Sequence, residues 1–149
     1  MNKVVLPNAV LLGEVEKLLS EGRQVVLMTK GSSMMPFIRG EKDSVTLEKR
    51  QTVGVGDIVL AQLRPGHYVL HRVKAVDGGS LTLHGDGNLA GDERCSVSDV
   101  AGTAVSIVLP SGRERECISE SSKRAARAWN RLPKLARRII LKLYRMTIR

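Results

Sequence analysis

Aromatic residues are scarce in this chain, at 3% of 149 residues. A core must therefore be built mainly from Val, Leu and Ile, and this length is typical of one domain with a modest core. Long apolar runs are also missing, since no stretch approaches the roughly 20 residues that span a bilayer. The N-terminal apolar run is broken by Pro7 and Asn8 and soon meets Glu14, which is untypical of a signal peptide. We therefore expect a cytoplasmic protein.

Acidic residues are missing from the last part of the chain. From Lys123 onward there are ten Lys or Arg and no Asp or Glu, whereas the whole chain has a net charge of +9. This leaves 14 of the 24 basic residues against 15 acidic ones before Lys123. The body is close to neutral, and the basicity belongs to a tail. We expect a body domain over residues 1–120 and a basic helical tail over residues 121–149.

Cysteine and metal-ligand patterns are nearly absent as well. Cys95 and Cys117 do not define a disulfide framework in a domain of this size, so we expect two reduced thiols. His67 and His84 lie near turns, without the clustered spacing that metal sites show. We expect no metal and no cofactor.

Hydrophobic spacing predicts one leading helix followed by several short strands. Asn8 can cap the helix and Gly22 can end it. The apolar positions of this helix follow helical spacing at Leu11, Leu12, Val15, Leu18 and Leu19. Strand patterns bounded by glycine turns follow at residues 24–29, 44–49, 56–63, 67–76, 80–84 and 103–109. These segments predict a mainly β fold, a small, curled and mostly antiparallel sheet with an N-terminal helix.

The tail is predicted to be helical, with a break near Pro133. Beyond the break the basic residues share one side of a helix, namely Lys134, Arg138, Lys142, Arg145 and Arg149. The apolar residues gather on another, namely Leu135, Ala136, Ile139, Ile140, Leu143 and Met146. Such a basic amphipathic helix can pack on the body, lie on an anionic membrane surface or neutralise nucleic-acid phosphates. We favour a membrane surface or a partner protein over nucleic acid.

Several polar residues occupy positions where the surrounding pattern favours other residue types. Ser33 lies at a glycine turn, His71 shares a strand face with Val69, and Asp86 and Asp92 follow the next strand. A serine hydroxyl needs an adjacent base to act as a nucleophile, and histidine accepts a proton near neutral pH. A carboxylate can then hold the imidazole in the required tautomer. Isolated polar residues, however, usually satisfy local hydrogen bonds, so the residues alone leave both interpretations open.

Five sequence blocks occur in an order that resembles a known class of enzymes. The blocks GSSMMPFIRGE, GDIVLAQL, YVLHRVKAV, LHGDGN and VSDVAGTAV are similar to those of the signal peptidase and LexA-like serine peptidases. The resemblance covers residues 24–108 and implies the compact, coiled, antiparallel β-domain of that superfamily. It identifies Ser33, immediately before Met34, with the nucleophile. Most bacterial members have lysine where this chain has His71, and the HRV block resembles the eukaryotic and archaeal-like branch, which uses histidine as the base.

The same branch implies the remaining site residues. There an aspartate six residues beyond the Gly-Asp aspartate completes the triad, which implies that Asp92 orients His71. Asp86 is implied as a supporting residue that holds the loop. The backbone N–H of Ser33 is expected to meet the oxyanion.

The resemblance also implies an activity and a substrate class. We expect a serine endopeptidase that processes a peptide or precursor protein bound in an extended, β-pairing pose. Met34 and Met35 are expected to pack in the core or to form a lip of the substrate groove. Gly31 stands where several bacterial signal peptidases carry a helping serine hydroxyl. The alternative is a non-catalytic module on the same fold that binds a peptide, a membrane or nucleic acid.

Overall fold

Eight antiparallel strands form one sheet in the part of the chain that the structure, a computed structural model, describes, residues 9–89 and 91–147. The strands are β1 Val25–Met28, β2 Ser44–Glu48, β3 Ile58–Arg64, β4 His67–Asp77, β5 Ser80–His84, β6 Glu93–Ser96, β7 Val100–Val108 and β8 Glu114–Glu116. The helices are α1 Ala9–Ser20, α2 Glu120–Arg131 and α3 Lys134–Thr147, and a short 3-10 turn covers Val97–Asp99. The predicted mainly β class is confirmed.

Most predicted elements are found near their predicted bounds. The leading helix ends at Ser20, before Gly22, while its predicted cap, Asn8, lies outside the described residues. The last long strand begins at Val100 rather than Thr103. The strands β6 and β8 are not predicted, because each has at most four residues and is mostly polar, which gives no hydrophobic run to detect.

The strand order brings distant parts of the chain together. The order is β1-β2-β7-β3-β4-β5-β6, with β8 beside β7. The strands β3 to β6 follow one another as a meander, and β7 returns to lie between β2 and β3. The strand β1 ends the sheet on one side. Within the described residues, the first half of β4 pairs only with β3, since β5 joins β4 from Arg72 onward. The outer edge of β1 and this half of β4 therefore have no neighbouring strand there.

The core is aliphatic, as the composition predicts. One cluster lies under α1 and includes Leu19, Leu27 and Leu47. A second cluster, with Val73 and Leu83, packs on the other side of the meander. Among the described residues, the buried members of both clusters are non-aromatic, and the partly buried Tyr68 packs against the first cluster, which agrees with the low aromatic content.

The two C-terminal helices pack against the body. Trp129 of α2 and Leu141 of α3 are buried against Met35, and Lys123 forms a salt bridge of 2.9 Å with Asp57. The predicted helix break near Pro133 is confirmed, because α2 ends at Arg131 and α3 begins at Lys134. The division into a body and a tail domain stays a prediction.

Candidate active site

Ser33 begins a short helical turn. The carbonyl oxygen of Met34 accepts hydrogen bonds from the N–H groups of Phe37 at 3.1 Å and Ile38 at 3.0 Å. Gly31, with a φ of 73°, supplies the bend that leads into this turn. Within the described residues, the N–H groups of Ser33 and Met34 have no acceptor, as is usual at the start of a helical turn. They are therefore available to a developing oxyanion.

The glycine loop after β5 joins this turn to His71. The N–H of Gly87 donates to the carbonyl oxygen of Ser33 at 2.8 Å. A Cβ on Gly85 would lie 2.6 Å from the Ser33 carbonyl oxygen and 3.1 Å from Nε2 of His71. The Ser33 carbonyl oxygen and the His71 ring thus both lie close to Gly85, where a larger residue would clash. The structure brings together the two residues that the sequence predicts as nucleophile and base.

The other nitrogen of the His71 ring contacts a carboxylate. Nδ1 lies 2.7 Å from Oε1 of Glu93, and the two side chains are 7% and 26% exposed. When Nδ1–H donates to Glu93, Nε2 carries a lone pair and faces the Ser33 turn. Among the described residues, Ser33 Oγ makes no hydrogen bond to His71, although both residues line the same cleft. Catalytic hydrogen bonds often tighten only in the substrate complex.

The structure corrects the prediction that Asp92 orients His71. One Asp92 oxygen lies 2.7 Å from Nδ1 of His84, and the other accepts a hydrogen bond from Lys74 at 2.8 Å. The hydrogen bond from Lys74, together with that from His84, lowers the pKa of Asp92. The carboxylate that contacts His71 belongs to the next residue, Glu93.

Strand register explains this correction. Glu93 pairs with Leu83, and Leu83 pairs with Val73, which is two residues beyond His71 on the same strand face. Successive side chains of a strand point to opposite faces, so Asp92 and Glu93 diverge. The sequence offers only a weak signal for Glu93, because Cys95 is the one apolar residue of β6. In the structure Glu93 and Cys95 are half-buried and their neighbours are more exposed.

Asp86 braces the glycine loop from the side away from His71. Its fully buried carboxylate binds Arg72, with Nε–Oδ1 at 3.0 Å and Nη2–Oδ2 at 2.8 Å, and Asn130 at 3.1 Å. Its carbonyl oxygen accepts the indole N–H of Trp129 at 2.8 Å. The Arg72 guanidinium also lies 5.5 Å from the ring centroid of Phe37. Asp86 thus holds the glycine loop through its carboxylate and its carbonyl oxygen, and its supporting role in the site stays a prediction.

Ser33 and His71 open on a cleft of about 360 Å³. The cleft is lined by residues of β1 and of the first half of β4, whose open backbone edges can pair with an extended peptide. Met34 contributes to the lining from the core. Met35 does not, because it is buried against Trp129. Met35 is thus a packing residue, and its prediction as a groove residue is corrected.

Tyr68 borders the same cleft and is held by α1. Its hydroxyl donates to Glu16 at 2.8 Å. Burial, reinforced by this hydrogen bond, raises the pKa of Tyr68 to about 12. The phenol therefore stays protonated over the pH range in which most enzymes act.

Comparison of the chain with protein-family models finds no match, and no curated protein matches it. Among residues 9–89 and 91–147, no three His, Cys, Asp or Glu side chains form a group that could hold a metal ion. Within the same residues, none of the helices is long and apolar enough to cross a bilayer.

Proposed function

We propose that this protein is a serine endopeptidase in which Ser33 is the nucleophile, His71 the general base and Glu93 the residue that positions His71. The observation that carries the proposal is the placement of the buried His71 ring, with Nδ1 on Glu93 and Nε2 beside the Ser33 turn. The resemblance of the sequence blocks to signal peptidase and LexA-like serine peptidases supports the same class. Asp92 has no part in this triad.

The proposed reaction follows from these positions. Ser33 Oγ attacks the carbonyl carbon of the scissile peptide bond while its proton passes to Nε2 of His71. The N–H groups of Ser33 and Met34 stabilise the oxyanion, and Glu93 stabilises the imidazolium. The C–N bond then breaks as His71 gives the proton to the leaving amine. Water, deprotonated by His71, hydrolyses the acyl-enzyme and restores Ser33.

The cleft suggests how the substrate binds. A peptide or precursor segment in extended form can pair with the open edges of β1 and β4. The apolar side chains of Leu27, Leu60 and Leu70 line the cleft and favour small or apolar substrate side chains. We place the reaction in the cytoplasm, including the inner membrane face. The unpaired thiols of Cys95 and Cys117 fit a reducing compartment.

Mapping of new protein N-termini by mass spectrometry tests the proposal. Cells would express the native chain, Ser33→Ala, His71→Ala or the matched control Ser32→Ala. The control removes the neighbouring hydroxyl, which contacts Arg145 rather than His71. We expect termini that occur with the native chain and Ser32→Ala and vanish with Ser33→Ala and His71→Ala. Purified variants checked by circular dichroism would exclude unfolding as the cause.

Identical maps for the native chain and Ser33→Ala would reject the peptidase in those cells. The alternative, a non-catalytic binding module, makes a separate prediction. Peptide binding would then survive both Ser33→Ala and His71→Ala, and the native chain would cleave nothing that it binds. Loss of cleavage with retained binding in Ser33→Ala would support the enzyme.

A further inference from the structure

The helix α3 exposes most of its apolar side chains to solvent. Leu135 is 65% exposed and Leu143 is 58% exposed, although both are large aliphatic residues. We name this surface the α3 apolar face, and its residues are Leu135, Ile139, Ile140, Leu143 and Met146. Contiguous apolar surface of this kind marks an interaction site in soluble proteins.

A different side of the helix holds it on the body. Arg137 and Leu141 are buried, and Leu141 packs with Met35 and Trp129. The guanidinium of Arg137 donates through Nε to the carbonyl oxygen of Leu132 at 3.1 Å. The fold therefore anchors α3 without using its apolar face, which stays available to a partner.

The charges around the α3 apolar face restrict the chemistry of that partner. Lys134, Arg138, Lys142 and Arg145 lie on the same helix, and within the described chain none of them forms a salt bridge. No acidic residue follows Lys123 in the sequence. The partner must therefore offer apolar contacts and anionic groups together along a 14-residue helix.

We propose that α3 docks on an anionic membrane surface, with its apolar face in the headgroup–acyl boundary and its basic residues on lipid phosphates. Amphipathic helices with a large apolar face and Lys and Arg on the polar side bind bilayers in this way. The core of a protein interface, in contrast, is depleted in charged residues, and nucleic-acid phosphates offer no surface for five apolar side chains. This docking does not depend on the proposed peptidase activity.

Docking would bring the candidate active site to the bilayer. Nη2 of Arg145 lies 3.3 Å from Oγ of Ser32, the residue before the candidate nucleophile. Leu141, on the inner side of the same helix, packs on Met35 of the Ser33 turn. The Ser33 turn is thus separated from the bilayer by about one helix diameter, roughly 10 Å.

Vesicle co-sedimentation of the full chain tests the docking. The vesicles would be pure phosphatidylcholine or an equal mixture of phosphatidylcholine and phosphatidylglycerol. We expect binding to the mixed vesicles that weakens with salt, and far weaker binding to the neutral ones. Leu135→Gln with Leu143→Gln should weaken binding about tenfold or more. The matched control, Val55→Gln with Val76→Gln, changes exposed aliphatic residues of the body and should leave binding unchanged.

A charge variant separates the electrostatic contribution to vesicle binding from the apolar one. Arg138→Gln with Lys142→Gln should weaken binding to mixed vesicles about thirtyfold and reduce its salt dependence. Absence of binding by the native chain to mixed vesicles would overturn the proposal, whatever the variants do. A loss of vesicle binding in Val55→Gln with Val76→Gln as large as that in Leu135→Gln with Leu143→Gln would also overturn the proposal. A native dimer that dissociates on Leu135→Gln with Leu143→Gln, seen by light scattering, would show that a second copy covers the face. Binding to duplex DNA together with no binding to mixed vesicles would show that nucleic acid is the occupant.

Discussion

Replacement of Glu93 by Gln tests the central feature of the site. Oε1 of Glu93 lies 2.7 Å from Nδ1 of His71, and the side chain has no other hydrogen bond in the described structure. Glu93→Gln keeps the size of the side chain and removes its charge. The imidazolium that forms during the reaction then loses its counter-charge. The reaction at Ser33 should slow while the fold is retained.

The magnitude follows from the kind of hydrogen bond that is lost. A hydrogen bond to a charged group contributes about 1.5–3 kcal/mol, and a neutral one about 0.5–1.5 kcal/mol. The difference of roughly 1–2 kcal/mol corresponds to a rate loss of about 5- to 30-fold. The 26% exposure of Glu93 favours the lower part of this range. An amide NH₂ that donates to Nδ1 would stabilise the wrong tautomer and enlarge the loss.

The assay needs no knowledge of the natural substrate. An aryl sulfonyl fluoride sulfonylates an activated serine with release of fluoride, and intact-mass spectrometry follows the adduct with time. Ser33→Ala shows which adduct belongs to the site. Asp92→Asn is the matched control, because Asp92 binds His84 and Lys74 and does not contact His71. Its sulfonylation rate should stay within about twofold of the native rate.

A Glu93→Gln chain that reacts as fast as the native chain would show that Glu93 does not position His71. Slowing of Asp92→Asn as large as that of Glu93→Gln would contradict the assignment as well. In the second case Asp92 would position His71, as the sequence resemblance implies. The strand β6 would then have to pair with β5 one residue out of the register seen here.

Three further predictions concern the glycine loop, the buried ion pair and the tyrosine at the cleft. Gly85→Ala places a methyl group within 3.1 Å of the His71 ring nitrogen and should slow sulfonylation about tenfold or more. Asp86→Asn leaves the buried Arg72 without its carboxylate and should lower the free energy of unfolding in urea by about 3–5 kcal/mol. In a Tyr144→Phe chain, which keeps only Tyr68, tyrosinate absorbance should rise near pH 12 rather than 10. Because the unfolded phenol ionises first, stability should fall as pH rises from about 10 toward 12.

Each of the three predictions has a control variant or an outcome that would contradict it. Gly79→Ala adds its methyl group to open space, so an equal rate loss there would remove the steric argument. An unfolding free energy of Asp86→Asn within about 1 kcal/mol of native would show that the buried pair contributes little. Titration of Tyr68 at its ordinary pKa would contradict the hydrogen bond to Glu16.

Much of the fold could be predicted from short-range patterns. The alternation in β4 puts His71 on the same face as Val73, and the structure keeps this arrangement. The apolar spacing of α1 and the break at Pro133 also correspond to real elements. Patterns of this kind act over a few residues, so they can be read before the tertiary structure is known. The strand β6 offers four residues without an apolar run, and only its pairing with β5 makes it a strand.

For α3, too, the sequence predicts the element and the tertiary structure decides its orientation. Its two faces can be read from the sequence, but which of its sides meets the body cannot. Arg137 and Leu141 are buried against the body, whereas Leu135 and Leu143 are exposed to solvent. This orientation depends on the shape of the surface around Met35, to which segments as distant in the chain as Leu89 and Trp129 contribute.

The chemistry that the chain carries can be read from its residues: a serine at a glycine turn, a histidine on an inward strand face, and a basic helix without acidic residues after Lys123. Which carboxylate meets His71 depends instead on how the strands pair. Asp92 and Glu93 are neighbours in the chain and both carry a carboxylate, so local sequence does not tell which of them meets His71. Pairing of Glu93 with Leu83 sets the register of β6, and a difference of one residue turns a side chain to the opposite face of the sheet.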